Sequence, residues 1–171
     1  MSRDPRWRLA LAIALAVFVL DRASKVLVER TMGLEQTIDV LPFFALTYVR
    51  NPGAAFGLFR NLPEPLRIPL LIGVTAVAFV VLLAYLRETP AERRWVVAAL
   101  GGVLGGALGN LYCRARYGEV VDFFHLHWGE WSWPMFNVAD SAITVGVIAL
   151  LVSSFVDARK TAQPTSEPAA R

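Results

Sequence analysis

Long apolar stretches separated by polar segments dominate the hydropathy pattern of the chain. Four of them, at about residues 7–28, 66–86, 95–112 and 138–156, consist mainly of Leu, Val, Ala, Ile, Gly and Phe. A helix needs about 20 apolar residues to cross a hydrocarbon core roughly 30 Å thick. The pattern therefore predicts an all-α membrane protein with four transmembrane helices. The first stretch is interpreted as an uncleaved span, because no small-residue cleavage pattern follows it.

The segment at residues 29–65 has a different pattern. Residues typical of strands alternate with turn formers, which predicts short strands at 37–40, 43–49 and 54–59 and a turn at 51–53. The edges of a small sheet cannot be satisfied inside hydrocarbon, so we expect this sheet on the outer bilayer surface. The aromatic residues of the segment suit that depth: Phe43, Phe44, Tyr48, Phe56 and Phe59. An ordinary aromatic-rich loop is the alternative.

Composition agrees with a small integral membrane protein. The chain has 171 residues, 56% of them hydrophobic, and a mean hydropathy of +0.48, which fits a single membrane domain over residues 1–171. Its net charge of +3 comes without any long basic run, so nucleic acid is not expected as a partner. An even number of spans places both termini on one side, and the Arg distribution favours the cytoplasm. The polar, Pro-rich residues 161–171 are predicted to form a disordered tail.

Polar residues inside the spans identify candidate sites, because a charge beside hydrocarbon is costly and needs a partner. Asp21 and Lys25 lie at i, i+4 in the first span, and we interpret them as a pair that holds the fold. Asn110 and Arg114 have the same spacing at the end of the third span, where we favour a functional role. Glycines precede them at 101, 102, 105, 106 and 109, and such small-residue spacing predicts close helix packing.

Two acids, Asp122 and Asp140, lie where the third span ends and the fourth begins. Asp140 belongs to a polar stripe at 137, 140, 141 and 144 on an otherwise apolar helix. Asn137 is also a good N-cap, with Asp140 in the first helical turn, and this structural role is compatible with a functional one.

Carboxylates held close together cannot both ionise easily, so one stays protonated near neutral pH while the other acts as a base. Such a pair can activate water and protonate a leaving amine, which is peptide hydrolysis without a covalent intermediate. The apolar neighbours of Asp122 are expected to raise its pKa. Asn137 and the helix N-terminus should keep Asp140 ionised, so we assign Asp140 as the base, although a coupled pair titrates as a unit.

Three alternatives stay open at this point. Asp122, Asp140, His125, His127 and Cys113 include the donor types that a divalent metal accepts. The two His, however, lie in a Trp-rich segment that we interpret as an interfacial loop, and the sequence has no HExxH motif. Cys113 with a His base would be a nucleophile without an evident orienting partner. Finally, the polar stripe of a non-catalytic membrane scaffold or lipid-binding protein would merely join helices.

An ordered set of motifs carries a resemblance to a known family. The motifs are DRASK at 21–25, RNPGAAFG at 50–57, GGALGN at 105–110 followed by Arg114, GEVVDF at 118–123 and WPMFNVADSAI at 133–143. With these segments the chain resembles lipoprotein signal peptidase, bacterial signal peptidase II.

The resemblance implies a four-helix inner-membrane aspartyl protease with a small periplasmic β-cradle, working near the periplasmic face without metal or other cofactor. It implies cleavage of prolipoproteins before a diacylglyceryl-modified cysteine, contact with membrane lipids, and inhibition by globomycin-type peptides. Asp122 and Asp140 would be the catalytic pair, and Asp21 and Lys25 a structural motif. The implied substrate-binding positions are Asn51, Gly53, Asn110, Arg114, Asn137 and Ala139.

The chain departs from the family pattern at one position near the site. The family normally reads GNLxDR, whereas this chain has Cys113 directly before Arg114. An acid at this position can pair with a basic residue, and a thiol does so poorly. We therefore expect the chemistry to be kept and the local stability to be affected.

Overall fold

The computed structural model describes residues 4–54 and 57–162 and is mostly helical. Four long helices overlap the four apolar stretches and extend beyond them: α1 (Pro5–Thr31), α2 (Glu64–Glu88), α3 (Arg94–Tyr117) and α4 (Val138–Ala162). Because α4 continues to Ala162, the predicted tail begins slightly too early, and residues 163–171 lie outside the described part.

Helix α3 is the centre of the bundle, and both α1 and α4 pack along it. The close packing predicted from the glycines is confirmed. A Cβ built on Gly105 would lie 2.5 Å from the carbonyl oxygen of Ala14 in α1, and one built on Gly106 would lie 2.5 Å from the carbonyl oxygen of Ala139 in α4. Backbones can approach this closely only where the side chain is absent.

Among the residues that the structure describes, three helices are long and apolar enough to cross a membrane, namely α2, α3 and α4 up to Arg159. Helix α1 is not among them, because Asp21, Arg22 and Lys25 interrupt its apolar sequence. Asp21 and Lys25 are nevertheless fully buried, with 0% exposure, so their charges face the bundle and not its surroundings. A fourth span therefore stays a prediction.

A four-stranded antiparallel sheet accompanies the helices, in agreement with the small β-rich part of the predicted fold. Its strands are β1 (Thr37–Leu41), β2 (Phe44–Asn51), β3 (Val120–Trp128) and β4 (Trp131–Ser132), arranged in that order. The strands predicted at 37–40 and 43–49 are confirmed.

Two sequence interpretations of the sheet region were wrong. Residues 120–132 form a hairpin of β3 and β4, although the Trp-rich part of this segment was interpreted as a loop. The residues described between 54 and 59 form bends and turns instead of a strand, and Phe56 lies outside the described residues. Local pattern could not reveal β3, because its main partner, β2, is distant in the sequence.

The sheet lies at the end of the bundle where α1 ends. Val28 of α1 and Met32, the C-cap residue of this helix, form an apolar cluster with Tyr48 of β2 and with Val121 and Phe123 of β3. Helix α3 ends at Gly118, which has a left-handed φ of 75° typical of a glycine C-cap, and the chain enters β3 directly. These connections bring the last turns of α3, the middle strands and the first turn of α4 to one place.

Candidate active site

A cavity of about 660 Å³ opens where the sheet meets the ends of α3 and α4. Both acids singled out in the sequence line it, together with three of the predicted substrate-binding residues: Asp122, Asp140, Asn51, Asn110 and Arg114. They come from β3, α4, β2 and α3, so the site exists only when these four elements are assembled.

Asp122 lies in β3, one of the two middle strands of the sheet, and is only 2% exposed. The register pairs Val49 with Asp122 and Asn51 with Val120, which places the Asn51 amide near the carboxylate. Asn51 Nδ2 donates to Asp122 Oδ2 at 2.9 Å, and Asn137 Nδ2 donates to Oδ1 at 2.6 Å. Both carboxylate oxygens of this buried acid are therefore hydrogen-bonded.

Asp140 is held by a capping box at the start of α4. Its backbone N–H donates to Asn137 Oδ1 at 3.0 Å, and the Asn137 N–H donates to Asp140 Oδ2 at 3.1 Å. Asn110 Nδ2 of α3 donates to the other oxygen, Oδ1, at 2.8 Å. The N-cap role predicted for Asn137 is confirmed, and the same contacts fix the Asp140 carboxylate at the cavity.

Asn137 connects the two acids. Its side-chain amide donates to Asp122 while its backbone N–H donates to Asp140, so one residue contacts both carboxylates. Burial raises the pKa of Asp122 to about 7, and the charge of Asp140 is the second cause of this rise. The hydrogen bonds from Asn51 and Asn137 and the charge of Lys25 act in the opposite direction and lower this pKa. The raised pKa agrees with the prediction from its apolar neighbours. One acid of this pair is thus poised to hold a proton near neutral pH.

Arg114 adds a positive charge to the wall of the cavity. It donates from Nη2 to the Gly53 carbonyl oxygen at 3.0 Å, and the Gly53 N–H in turn donates to Asn51 Oδ1 at 3.0 Å. The buried Nε of Arg114 has no hydrogen-bond partner within residues 4–54 and 57–162. A buried donor of this kind is costly unless a ligand or water accepts from it.

The remaining predicted site residues lie behind the cavity wall. Asn137 and Ala139 have 0% exposure, and Gly53 contributes through its backbone. Asp21 and Lys25 also lie away from the cavity and form an ion pair with a distance of 2.8 Å between Nζ and Oδ2. The interpretation of Asp21 and Lys25 as an internal pair agrees with this burial.

The apolar part of the wall was not predicted as part of the site, although most of it lies in the motif at 133–143. It is formed by side chains from the segment before α4 and from α4 itself: Trp133, Pro134, Met135, Phe136, Ile143 and Val145. Arg50 and Arg60 also line the cavity and were not singled out. Arg60 lies in a turn directly after the segment at 54–59 that was predicted as a strand, so no periodic signal could have placed it at the cavity.

The residue sets of the two catalytic alternatives are not brought together. Within the described residues, no group of three His, Cys, Asp or Glu side chains could hold a metal ion. Cys113 is fully buried and accepts a hydrogen bond from Arg22 Nη1 at 3.1 Å, whereas His125 lies against Thr47 and Ser132. The thiol and the imidazole therefore have separate partners.

Long apolar helices and a cavity lined by two acids define a helical membrane protein with a candidate enzymatic site. The family model described as "Signal peptidase (SPase) II" matches residues 13–156 of the chain. The chain therefore belongs to the signal peptidase II family, a family of membrane proteases.

Relatives and solved structures agree with this assignment. The chain is 45% identical over 153 residues to the lipoprotein signal peptidase of Syntrophotalea carbinolica, covering 89% of this chain and 94% of the relative. It is 43% identical over 159 residues to that of Geobacter sulfurreducens, covering 92% and 98%.

Two solved structures described as bacterial membrane enzymes have the same fold. One, determined at 2.3 Å, has a TM-score of 0.81 at 28% identity and covers 92% of this chain and 94% of its own. The other, determined at 1.9 Å, has a TM-score of 0.75 at 30% identity and covers 84% and 90%.

Proposed function

We propose that the protein is an aspartyl endopeptidase that removes the signal peptide from prolipoproteins by cleaving before the diacylglyceryl-modified cysteine. The observation that carries the proposal is the joining of Asp122 and Asp140 through Asn137 at one cavity. Family membership and the names of the relatives support the substrate class.

In the proposed mechanism Asp140 is the base that removes a proton from water. The water attacks the scissile carbonyl, and Asp122, which has a pKa of about 7, supplies a proton to the leaving amine. Asn110 and the capping box hold the Asp140 carboxylate. Arg114, with its unused buried donor, binds a carbonyl oxygen of the substrate and stabilises the charge that develops there.

The composition of the cavity wall suits a substrate that is both peptide and lipid. Polar groups from Asn51, Asn110 and Arg114 would bind the peptide backbone, and the apolar wall around Met135 and Ile143 would contact the diacylglyceryl chains. Burial of acyl chains contributes about 0.8 kcal/mol per CH₂, so the lipid can supply much of the binding free energy.

We further propose four membrane spans, with both termini cytoplasmic and the sheet on the periplasmic side of the bacterial inner membrane. The burial of Asp21 and Lys25 supports α1 as the fourth span, because its charges face other helices. In this proposed topology the Asp pair would lie near the outer surface, where a secreted substrate and a globomycin-type inhibitor would reach it from the bilayer.

Substitution of each acid tests the proposal. Purified Asp122→Asn and Asp140→Asn variants should lose at least about a thousandfold in cleavage of a diacylglyceryl-modified lipobox peptide, because neither can share a proton as a carboxyl pair does. Their melting temperatures in detergent should stay close to that of the unmodified protein.

Normal turnover by either variant would remove the Asp pair from the mechanism. If the unmodified protein binds the lipopeptide but does not cleave it, the non-catalytic lipid-binding alternative is correct. A Gln36→Ala variant serves as the control, since its side chain caps the exposed turn at Gly33 away from the cavity.

A further inference from the structure

Lys25 is a buried charge that the proposed reaction does not use. It has 0% exposure and does not line the cavity, so it cannot contact a substrate there. Its Nζ donates to Asp21 Oδ2 at 2.8 Å and to Asn110 Oδ1 at 2.8 Å. Asn110 in turn donates from Nδ2 to Asp140. A continuous chain of hydrogen bonds therefore joins α1 to the candidate base.

We propose that Lys25 is a positioning residue that fixes the amide of Asn110 so that its NH₂ group, and not its oxygen, faces Asp140. This inference rests on the proposed function. An ammonium group only donates hydrogen bonds, whereas an amide donates on one side and accepts on the other. With Lys25 in place, only one orientation of the Asn110 amide satisfies both neighbours.

The opposite orientation of the amide would be unfavourable on both sides. It would direct the NH₂ group of Asn110 at the Lys25 ammonium and its oxygen at the Asp140 carboxylate, so that donor meets donor and acceptor meets acceptor. Asn137 Nδ2 also donates to Asn110 Oδ1, but at 3.3 Å. The shorter, charge-assisted contact from Lys25 is the stronger restraint.

Asp21 completes the arrangement from the other side. It balances the charge of Lys25, and its Oδ1 accepts from the Ala139 N–H at 3.0 Å in the first turn of α4. Gly109 leaves the space that this carboxylate occupies, since a Cβ there would clash with Asp21 Oδ2. The pair therefore restrains both Asn110 and the turn that carries Asp140.

A pair that merely holds helices together must be distinguished from one that positions a catalytic group. The double variant Asp21→Asn, Lys25→Met removes both charges at once and leaves neither ion buried alone. The new Asn still offers an oxygen to the Ala139 N–H, so the contact between α1 and α4 is kept. The charge-assisted hydrogen bond to Asn110 Oδ1 is lost in this variant, and the longer contact from Asn137 Nδ2 stays.

We expect the double variant to melt within a few degrees of the unmodified protein and to keep its KM within about twofold. Its kcat should fall more than about tenfold, because a misoriented group beside the reacting atoms slows the chemical step more than it weakens substrate binding. Asp21→Asn, Lys25→Gln, which restores an N–H donor at position 25, should recover part of the kcat.

A matched control exists at the opposite end of the bundle, where Arg93 and Asp157 form an ion pair that joins α3 to α4. Arg93→Gln, Asp157→Asn also neutralises an interhelical pair, and its kcat should equal that of the unmodified protein. A similar loss of kcat in this control would show that any lost ion pair slows the enzyme, and it would overturn the positioning role.

A mutant cycle with Asn110→Ala tests the route of the effect. If Lys25 acts through Asn110, adding the double substitution to Asn110→Ala should change kcat by less than about twofold, because interacting residues are not additive. Full additivity, or an unchanged kcat in the stable double variant alone, would overturn the inference.

If the double variants do not fold, the unmodified protein can decide the question. A neutron structure would show which side of the Asn110 amide faces Asp140, and an oxygen there would overturn the inference. An unmodified protein that cleaves no lipopeptide would overturn the proposed function, and this inference with it. A cleaving protein with an unaffected double variant would overturn this inference alone.

Discussion

Replacing Asn51 with alanine tests the electrostatics of Asp122. The Asn51 amide donates to Asp122 at 2.9 Å and favours the ionised carboxylate, whereas burial and Asp140 raise the pKa to about 7. A hydrogen bond to a charged group contributes about 1.5–3 kcal/mol. In the Asn51→Ala variant, water in the cavity can replace part of this hydrogen bond. The net loss of stabilisation of the ionised carboxylate is then roughly 1.4 kcal/mol, which equals one pKa unit. We therefore expect the pKa of Asp122 to rise by about one unit.

The measurement is kcat/KM against pH, which reports groups that titrate in the free enzyme. If Asp122 is the acid, activity requires its protonated form and falls as the pH rises through the apparent pKa of the pair. Asn51→Ala should therefore move this alkaline limb upward by about one pH unit, even if the maximum rate also falls. The midpoint belongs to the coupled pair and not to Asp122 alone.

The control and the refuting result are both clear in this experiment. Gln36→Ala, whose side chain bonds the exposed backbone at Gly33, should leave the midpoint unchanged. A limb that stays in place in Asn51→Ala, or that moves to lower pH, would contradict the assigned protonation of Asp122. If KM rises while the alkaline limb of the pH profile stays in place, Asn51 binds substrate and does not tune the pKa of Asp122.

Three further predictions follow from the packing and the side-chain contacts. Cys113→Asp should raise the melting temperature by a few degrees, because Arg22 already contacts the Sγ atom and would gain an ionic partner; an equal gain in an Arg22→Met background would contradict this. Gly105→Ala should destabilise the protein by about 1–3 kcal/mol, since its Cβ would lie 2.5 Å from the Ala14 carbonyl oxygen. Gly73→Ala is the control and should not lower the melting temperature, because in the described part of the chain its added Cβ would meet nothing within 4 Å beyond the adjoining backbone of its own helix. A chelator should leave lipopeptide cleavage unchanged, and activity that is lost and then restored by a divalent metal would support the metal-dependent alternative.

Much of the architecture could be predicted because membrane insertion leaves strong local signals. The apolar stretches predicted the positions of the four helices, and the glycines of α3 predicted that this helix packs closely against its neighbours. The N-cap at Asn137 could also be predicted, since the two residues of a capping box are only three positions apart in the sequence. Each of these features depends on neighbours in the sequence.

The sheet was predicted only in part because strands satisfy their hydrogen bonds with distant partners. β1 and β2 are joined by a short turn and were recognised, but β3 pairs with β2 across two helices of intervening chain. His125 and His127 were therefore assigned to a loop instead of a strand. The apolar wall of the cavity was not predicted either, because the segment before α4 reaches the cavity only by pairing with β3, as Phe136 does with Phe124.

The sequence by itself determined the helical membrane class, the family resemblance and the residue types available for chemistry. It could name Asp122 and Asp140 as a candidate pair, because acids beside apolar stretches are rare and costly. Only the tertiary structure decided that Asn137 contacts both acids and that Lys25 of α1 reaches Asn110 of α3. Hydrogen bonds of this kind depend on distances of about 3 Å between elements, and such distances arise only when the helices and the sheet have packed.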